Sequence, residues 1–286
     1  MIAVDEVRDK AAVVTGGASG IGFAMARKFL SEGMSVAIGD IEADALDDAV
    51  RALRGAAGSA RVIGLRADVT AFDDVARLCH EAERTFGGLD VVCANAGVET
   101  GGRFLDVAPE AWRWVMDVNY FGTLNTARAA LPILERSDEG HLVITGSLAG
   151  FASGTPFMTP YCATKMAIHG LAESLEVELR ASASSVSVHL LAPGPVQSRM
   201  IDAERNAPAG VPINEDPERR RAMEDFRARQ SAEGLPAAQV ADLVVEAIGE
   251  RRFFVLPHRE RAVAALRRRL EWVETGRTPE SRVAGT

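Results

Sequence analysis

A regular alternation between short apolar runs and longer amphipathic stretches constrains the fold more than any other feature of the chain. Seven runs have the length and composition of buried strands: residues 11–15, 35–39, 61–65, 89–94, 141–145, 186–191 and 253–256. Stretches with apolar residues at helical spacing lie between them, for example residues 21–31, 43–53 and 72–86. Because right-handed crossovers join such strands into one sheet, the sequence predicts an α/β fold. We expect a doubly wound parallel sheet of about seven strands with helices on both faces, in a single domain.

A glycine-rich turn joins the first strand to the first helix. Gly16, Gly20 and Gly22 give the spacing Gly-x-x-x-Gly-x-Gly, which differs from the common dinucleotide fingerprint Gly-x-Gly-x-x-Gly. Glycines at these positions permit a tight turn and bring backbone N–H groups and a helix N-terminus close to a pyrophosphate. The turn therefore predicts a dinucleotide site in a Rossmann-like fold, the alternative being a plain turn without a ligand.

Tyr161 and Lys165 lie four residues apart in a helical pattern, so the phenol and the ammonium share one face. A cation one turn away favours the phenolate and pulls the phenol pKa from about 10 toward neutrality. The pair could then take a proton from an alcohol or give one to a developing alkoxide. Ser147, fourteen residues upstream of Tyr161, follows the fifth strand and could hold the same substrate oxygen. The alternatives are a surface tyrosine beside a solvated lysine, and a serine that only makes a turn.

Together these features resemble the short-chain dehydrogenase/reductase family, over about residues 10–256. The resemblance is carried by the stretch Thr15-Gly-Gly-Ala-Ser-Gly-Ile-Gly22, the pair Asp68-Val69, the stretch Ala94-Asn-Ala-Gly97 and the pair Pro193-Gly194. They look like the family's cofactor loop, its adenine contact, its Asn-Asn-Ala-Gly stretch and the turn after its sixth strand. Two departures are mild, because Ala94 replaces the first Asn of its stretch and Ser198 stands where the family more often has Thr.

The resemblance implies the catalytic residues Asn119, Ser147, Tyr161 and Lys165. It also implies that Lys165 binds the nicotinamide ribose and that a carbonyl of Asn119 holds a water between Lys165 and solvent. The implied cofactor site consists of Gly16, Ser19, Gly20, Ile21, Gly22, Asp40, Ile41, Asp68, Val69, Asn95, Ala96, Gly97, Tyr161, Lys165, Pro193, Gly194, Val196 and Ser198. The alternatives are that Asn119 is a surface residue of one long helix over 111–134 and that Asp68 is a turn residue.

Asp40, at the end of the second strand, bears on the choice of cofactor. A carboxylate eighteen residues after Gly22 can accept hydrogen bonds from both ribose hydroxyls of NAD. It would repel the 2′-phosphate of NADP, and we expect no Arg or Lys to be placed to neutralise that phosphate, since Ile41 and Glu42 follow Asp40. The sequence therefore predicts NAD as the cofactor. The alternatives are an NADPH-dependent ketoreductase and an Asp40 that only caps the following helix.

A polar connection over 197–234 is unusually long for a compact domain, and in the family this place holds a flap over the substrate. The alternative is a loose pair of surface helices. The uncharged stretch 151–158 carries Phe151, Phe157 and Met158, and the connection adds Met200, Ile201, Met223 and Phe226. We expect Ser147, Phe157, Tyr161 and Met200 to contact the substrate. Such apolar, Met-rich walls suit a bulky uncharged secondary alcohol or ketone, such as a terpenoid, a steroid or an aryl carbinol.

The predicted function is reversible hydride transfer between NAD and a secondary alcohol or ketone, with Tyr161 handling the hydroxyl proton. A sensor or scaffold that binds the dinucleotide without turnover is the alternative from another class. Such a protein would be expected to lack Tyr161 or Lys165, and both are present here.

Composition limits the other classes of function. The formal net charge of −8 argues against general affinity for nucleic acid, and no apolar run approaches the 18 residues of a membrane span. The N-terminal sequence lacks the features of a signal peptide, and the three cysteines form no disulfide framework, so we expect a cytoplasmic protein. The five histidines show no metal-ligand spacing, and we expect no metal.

Two predicted helices, over 111–134 and 159–180, carry apolar residues on more than one face, which predicts a homo-oligomer, either a dimer or a tetramer. The domain prediction is a catalytic domain over 1–258, followed by a helix and tail over 259–286. In that helix, Val263, Leu266, Leu270 and Val273 form an apolar stripe, which is expected to pack on the domain or on a neighbouring subunit.

Overall fold

A single parallel sheet of seven strands organises the computed structural model, which describes residues 9–151 and 155–279. The strands are β1 Ala11–Thr15, β2 Ser35–Asp40, β3 Val62–Arg66, β4 Val91–Ala94, β5 His141–Thr145, β6 Ser187–Leu191 and β7 Phe254–Val255. Their order across the sheet is β3-β2-β1-β4-β5-β6-β7, and every pair is parallel. The predicted fold class is therefore confirmed. The predicted domain ends over 1–8 and 280–286, and residues 152–154 of the expected substrate wall, lie outside the described residues.

Helices connect the strands and cover both faces of the sheet. They are α1 Gly20–Ser31, α2 Ala43–Ala57, α3 Phe72–Phe86, α4 Pro109–Met116, α5 Gly122–Leu134, α6 Thr159–Ala181, α7 Pro217–Glu233, α8 Ala237–Gly249 and α9 Arg259–Thr275. Short 3₁₀ segments follow β5 and β6, at Leu148–Gly150 and Met200–Asn206. None of the helices within the described ranges is long and apolar enough to cross a membrane.

The sheet separates two apolar layers of the core. Ala12 and Val14 of β1 contact one layer, while Val13, between them, contacts the other, as the two-residue period of a strand requires. Residues of α1, α2 and α8 fill the first layer, and residues of α3, α5 and α6 fill the second. With both faces covered, all five residues of β1 are buried, which explains its continuous apolar sequence.

The strand order reverses beside β1, whose neighbours are β2 on one side and β4 on the other. Crossovers that leave β1 and β4 therefore run to opposite sides and open a crevice at the carboxyl ends of these strands. The glycine turn, Asp40, Asn95 and Ser147 all lie at or just beyond carboxyl ends of strands. The topology thus brings the predicted site residues to one edge of the sheet.

Two helices differ from the sequence prediction. The long helix expected over 111–134 contains a π-helical turn at Asp117–Phe121, between α4 and α5. Helix α9 begins at the predicted residue, but its buried residues are Ala262 and Ala265, and the predicted stripe is half-buried only at Val263. Leu266, Leu270 and Val273 of that stripe are 47, 56 and 79 % exposed, because the small alanine face allows closer packing on the domain. Packing of these exposed residues on a neighbouring subunit stays a prediction.

Candidate active site

The glycine turn after β1 is shaped for close approach of backbone. Gly16 and Gly20 have φ values of +62° and +54°, a region that side chains disfavour. An added Cβ at Gly22 would lie 2.1 Å from the carbonyl oxygen of Gly16, so the first turn of α1 packs directly on the loop. Among the described residues, α1 has no acidic side chain in its first turn and no side-chain cap from Ser19. Its N-terminal N–H groups therefore suit a bound pyrophosphate.

Asn95, just beyond β4, fixes this turn to the neighbouring strands. Its amide nitrogen donates to the carbonyl oxygens of Thr15 and Gly16 at 3.1 and 3.3 Å. Its amide oxygen accepts a hydrogen bond from the Thr145 hydroxyl of β5 at 3.2 Å. One side chain thus joins the carboxyl ends of β1, β4 and β5.

Ser147, Tyr161 and Lys165 come together as predicted. Tyr161 and Ser147 are linked through their side chains by a hydrogen bond. The Lys165 ammonium lies 5.6 Å from the centre of the Tyr161 ring and donates to the Thr145 carbonyl oxygen at 2.8 Å. All three side chains are buried, so neither the surface tyrosine nor the solvated lysine describes this pair.

The acidities of these groups differ from the sequence expectation. Burial raises the pKa of Tyr161 to about 12, and the hydrogen bond with Ser147 opposes this rise. Burial lowers the pKa of Lys165 to about 8. The pKa of Tyr161 therefore lies above its ordinary value, opposite to the expectation, because desolvation of the phenolate dominates. At neutral pH, the Tyr161 hydroxyl is therefore protonated.

Asn119 lies in the π-helical turn and is fully buried, so the surface alternative is wrong. Its side chain exchanges hydrogen bonds with both backbone groups of Val98, at 2.8 and 2.9 Å, and donates to the Thr164 hydroxyl at 3.1 Å. Its main-chain carbonyl accepts a hydrogen bond from the Thr123 hydroxyl at 2.7 Å, so the carbonyl expected to hold a water already has one protein donor. Asn119 thus clamps the loop after β4 against α6, next to Lys165.

A cavity of about 640 Å³ is lined by residues that follow the first six strands. Most predicted site residues line it: Gly16, Ser19, Gly20, Ile21, Asp40, Ile41, Asp68, Val69, Asn95, Ala96, Gly97, Ser147, Tyr161, Lys165, Pro193, Gly194, Val196, Ser198 and Met200. Gly22, Asn119 and Phe157 are not part of the lining. Gly22 and Asn119 support the site from behind it. Asp68 lines the cavity and also serves the turn, since its carboxylate accepts from the backbone N–H and the hydroxyl of Thr70.

The residues of the predicted substrate wall are divided between the cavity and the core. Met158, Met200 and Phe226 line the cavity. Phe157 packs beside Met158 and Tyr161 in an apolar cluster instead, and Phe151 packs edge-on against the His169 ring. The expected flap supplies both the 3₁₀ segment Met200–Asn206 and α7, and residues of both segments line the cavity, so it is not a loose surface pair.

At the far end of the cavity, beside Asp40, the structure corrects the prediction that no cation is placed there. Asp40 accepts hydrogen bonds from the backbone N–H groups of Ala18 and Glu42, at 3.0 and 3.2 Å. The flap, however, brings the Arg205 side chain into the same lining, where it pairs with Glu42. Sequence reasoning missed this pair because its members are 163 residues apart, and it carries no local signal.

Gln230 and Trp114 also line the cavity without having been predicted. Gln230 of α7 donates to the Val196 carbonyl oxygen and, at 3.2 Å, to the Ser198 hydroxyl, so it ties the flap helix to the turn after β6. No sequence motif marks either residue.

A buried charged cluster adjoins the catalytic residues beneath the flap. Glu99, which follows Val98 in the loop after β4, is 1 % exposed, and its Oε1 has no hydrogen-bond partner among the described residues. Burial raises the pKa of Glu99 to about 7, although the charge of Arg219 opposes the rise. Arg219 of α7 is also buried and pairs with Glu204, which accepts from the Thr100 hydroxyl at 2.8 Å. The cluster joins the loop after β4 to both parts of the flap.

Four of the five histidines make contacts within the fold. His141 and His189 share a hydrogen bond of 3.0 Å in the sheet, and burial lowers both pKa values. The His169 ring fills the space that Gly146 and Gly150 leave, and His258 accepts the N–H of Gly194 at 3.1 Å. Within residues 9–151 and 155–279, no group of three or more His, Cys, Asp or Glu side chains is arranged to hold a metal ion.

Comparison with known proteins agrees with this geometry. The family profile described as short chain dehydrogenase matches residues 10–209. An uncharacterized oxidoreductase of Staphylococcus aureus (strain MRSA252) is 39 % identical over 190 residues, which are 66 % of this chain and 79 % of the relative. The 1-deoxy-11-beta-hydroxypentalenate dehydrogenase of Streptomyces exfoliatus is 36 % identical over 252 residues, which are 87 % of this chain and 83 % of the relative.

A crystal structure gives the corresponding result for the fold. It is the structure of a short chain dehydrogenase/reductase from Burkholderia phymatum in complex with NAD. The two structures superpose with a TM-score of 0.92 at 35 % sequence identity, and the match covers 98 % of this chain and 99 % of the Burkholderia chain.

Proposed function

Since the chain belongs to the short-chain dehydrogenase family, we propose that it is an NAD-dependent oxidoreductase that interconverts a bulky, apolar secondary alcohol and its ketone. The observation that carries the proposal is the meeting of Ser147, Tyr161 and Lys165 in the same cavity as the glycine turn. The turn fits a dinucleotide, because its two glycines have positive φ and α1 begins without acidic side chains in its first turn.

The residues of the chain divide the proton chemistry among them. The Tyr161 hydroxyl donates its proton to the oxygen of a ketone, or receives the hydroxyl proton of an alcohol in the reverse direction. The Ser147 hydroxyl binds the same oxygen and fixes it beside Tyr161. Lys165, held by Thr145, places a positive charge beside the phenol as it loses its proton. Bound NAD supplies the hydride acceptor, and NADH the hydride donor.

The cofactor proposal rests on Asp40, whose carboxylate lines the cavity at the end of β2. A phosphate dianion beside this carboxylate is disfavoured by several kcal/mol at roughly 4 Å in a partly desolvated site. We therefore expect a higher kcat/KM with NAD than with NADP, and a narrower preference in Asp40→Ala. Equal values for the two cofactors in the unchanged protein would rule this proposal out.

The substrate proposal rests on the apolar side chains of the lining. Trp114, Val118, Met158, Met200 and Phe226 all face the cavity, and such surfaces bind bulky rings better than short polar chains. The Streptomyces relative is named for a hydroxypentalenate, which favours a terpenoid among the alternatives. A higher kcat/KM for 3-hydroxybutyrate than for every cyclic or aryl alcohol in a matched series would contradict this class.

The test of the whole proposal measures NADH formation by the purified protein with a panel of bulky secondary alcohols. Tyr161→Phe should lower kcat by about 100-fold or more while the Kd for NAD stays nearly unchanged, because only the proton-transfer group is lost. The matched control is Tyr120→Phe, which removes the hydroxyl of the only other tyrosine and should keep most of the activity. A sensor or scaffold would bind NAD and form no NADH with any alcohol.

We further propose that the protein works in the cytoplasm as a homo-oligomer. Cys79, Cys93 and Cys162 are all buried free thiols, which suits a reducing compartment. Phe121 and Val177 leave large apolar side chains exposed on the surface around α5 and α6, where a second subunit would cover them.

A further inference from the structure

Glu42 and Arg205 form a tight contact at the end of the cavity that also contains Asp40. Arg205 Nε donates to both carboxylate oxygens of Glu42, at 3.1 and 3.2 Å, and its Nη2 donates to Oε1 at 2.6 Å. Asn206 adds a third donor group through its side-chain amide, at 3.0 Å. Hydrogen bonding to Arg205 is the main reason that the pKa of Glu42 lies below its usual range, so the carboxylate is charged at neutral pH.

The remaining nitrogen of Arg205 is also bonded. Its Nη1 donates to the carbonyl oxygens of Arg199 and Asp202, at 3.1 and 2.7 Å, within the flap itself. The guanidinium is thus built rigidly into the 3₁₀ segment of the flap, and its outward edge is turned to Glu42. The side chains of Glu42 and Arg205 are only 24 and 26 % exposed, so the pair is shielded from solvent more than an ordinary surface ion pair.

This placement bears on the choice between the two dinucleotides. Asp40, Glu42, Arg199 and Arg205 all line the cavity, and the proposed use of NAD places the adenosine ribose beside Asp40. A guanidinium at that place is the group that a 2′-phosphate would bind, since the planar fork of Arg matches phosphate oxygens. In this chain Glu42 already occupies the edge of that fork formed by Nε and Nη2.

We propose that Glu42 is a second determinant of cofactor specificity, one that acts by holding Arg205 away from a 2′-phosphate and by fastening the flap over the adenosine end. Asp40 repels the phosphate, and Glu42 removes the cation that would otherwise compensate. This inference rests on the proposed use of NAD. It implies that Asp40→Ala alone gives incomplete acceptance of NADP, because Arg205 stays bound to Glu42.

The test is a double-mutant cycle read by direct binding, which requires no turnover. The Kd values for NAD⁺ and NADP⁺ are measured by calorimetry for four proteins. They are the single variant Asp40→Ala, the two double variants that add Glu42→Gln or Arg205→Ala to it, and the triple variant that carries all three substitutions. Gln keeps the shape of Glu42 and an acceptor oxygen, so the flap stays in place, but it lacks the negative charge and cannot compete with a phosphate for Arg205. The control is Glu215→Gln, which neutralises the exposed partner of Arg220 on the flap outside the cavity lining and should change neither Kd.

Adding Glu42→Gln to Asp40→Ala should tighten NADP⁺ binding by about tenfold or more, the effect of one charge-assisted contact to phosphate, and should change NAD⁺ binding by a smaller factor. The gain should disappear when Arg205 is replaced by Ala. An equal gain in NADP⁺ affinity with and without Arg205 would show that only the net charge matters. No gain in NADP⁺ affinity, whether Arg205 is present or absent, would show that Glu42 has no part in specificity. Either result overturns the inference. If NAD⁺ binds the parent normally, these results leave the proposed function intact. If the parent binds neither dinucleotide, the proposed function fails and this inference fails with it.

Discussion

Replacing Glu99 by Gln should stabilise the protein at alkaline pH and leave its stability unchanged at acidic pH. Glu99 is buried beneath the flap, and burial raises its pKa from the ordinary value of 4.5 to about 7. Gln has nearly the same shape and carries no charge at any pH. The variant therefore removes the unfavourable burial of a carboxylate without opening a cavity.

The pH range follows from the direction of the pKa change. Below pH 4.5, Glu99 is protonated in both the folded and the unfolded state, and the substitution has no electrostatic effect. Between pH 4.5 and about 7 the unfolded state loses the proton first, so the stability of the parent falls as pH rises. Above pH 7 the carboxylate is charged in both states, and its burial costs about 3 kcal/mol, at about 1.4 kcal/mol per pH unit. Glu99→Gln should recover about that amount at pH 8.

The measurement is the free energy of unfolding from urea titrations of parent and variant at pH 5, 6, 7 and 8, at one protein concentration. The difference between the two proteins should grow steadily over this range. Glu215→Gln serves as the control, because the Glu215 side chain is 79 % exposed and its loss should matter little at any pH. A difference that does not depend on pH, or a variant less stable than the parent at pH 8, would refute the reasoning. The second result would mean that the attraction of Arg219 exceeds the cost of burial.

Three further changes can be tested. The parent should lose stability as pH falls from 6.5 toward 3, because burial lowers the pKa of His141 to about 3, so the folded ring stays neutral while the unfolded ring gains a proton. His141→Asn should reduce this loss in urea titrations. Equal acid sensitivity of parent and variant would contradict the prediction. Gly150→Ala should lower both Tm and kcat, since the added Cβ would lie 2.3 to 2.4 Å from three atoms of the His169 ring. The control is Gly170→Ala, on the same helix as His169, where a Cβ would meet open space and should be tolerated. Two variants that behave alike would argue against this packing. Val177→Asp, at a side chain that is 68 % exposed, should weaken self-association in sedimentation, and a parent that is monomeric at micromolar concentration would exclude the oligomer.

Local sequence patterns predicted the features that depend only on nearby residues, which are the buried strand β1, the glycine turn and the shared helix face of Tyr161 and Lys165. The run over 11–15 is buried on both faces, and its continuous apolar residues could form little other than an interior strand. The positive φ values of Gly16 and Gly20 accord with the turn read from the sequence. Tyr161 and Lys165 share a helical face because four residues make one turn, whatever surrounds them.

The parts that the sequence did not reveal depend on distant contacts or on burial. The approach of Arg205 to Glu42 is set by the path of the flap, which no local pattern encodes. The acidity of Tyr161 follows its desolvation, so the pKa moved opposite to the expectation from its lysine neighbour alone. In α9 the larger apolar residues pointed to one face, but the small Ala262 and Ala265 pack on the domain. A hydrophobic pattern identifies the most apolar face of a helix, but it does not show which face is complementary in shape to the surface it packs on.

The hydrogen bonds around Asn95 have a consequence for how such an enzyme can change over evolution. Through Asn95, the turn at Gly16 is joined to Thr145, and Thr145 in turn holds Lys165. The glycine turn and Lys165 are therefore parts of one hydrogen-bonded frame, and a mutation that displaces either one should disturb the other. The part of the cavity that we propose for the ribose meets this frame through the contact of Asp40 with Ala18, at the edge of the turn. Coenzyme preference can therefore change during evolution through a few substitutions around Asp40, while the glycine turn and the proton-transfer residues are retained together.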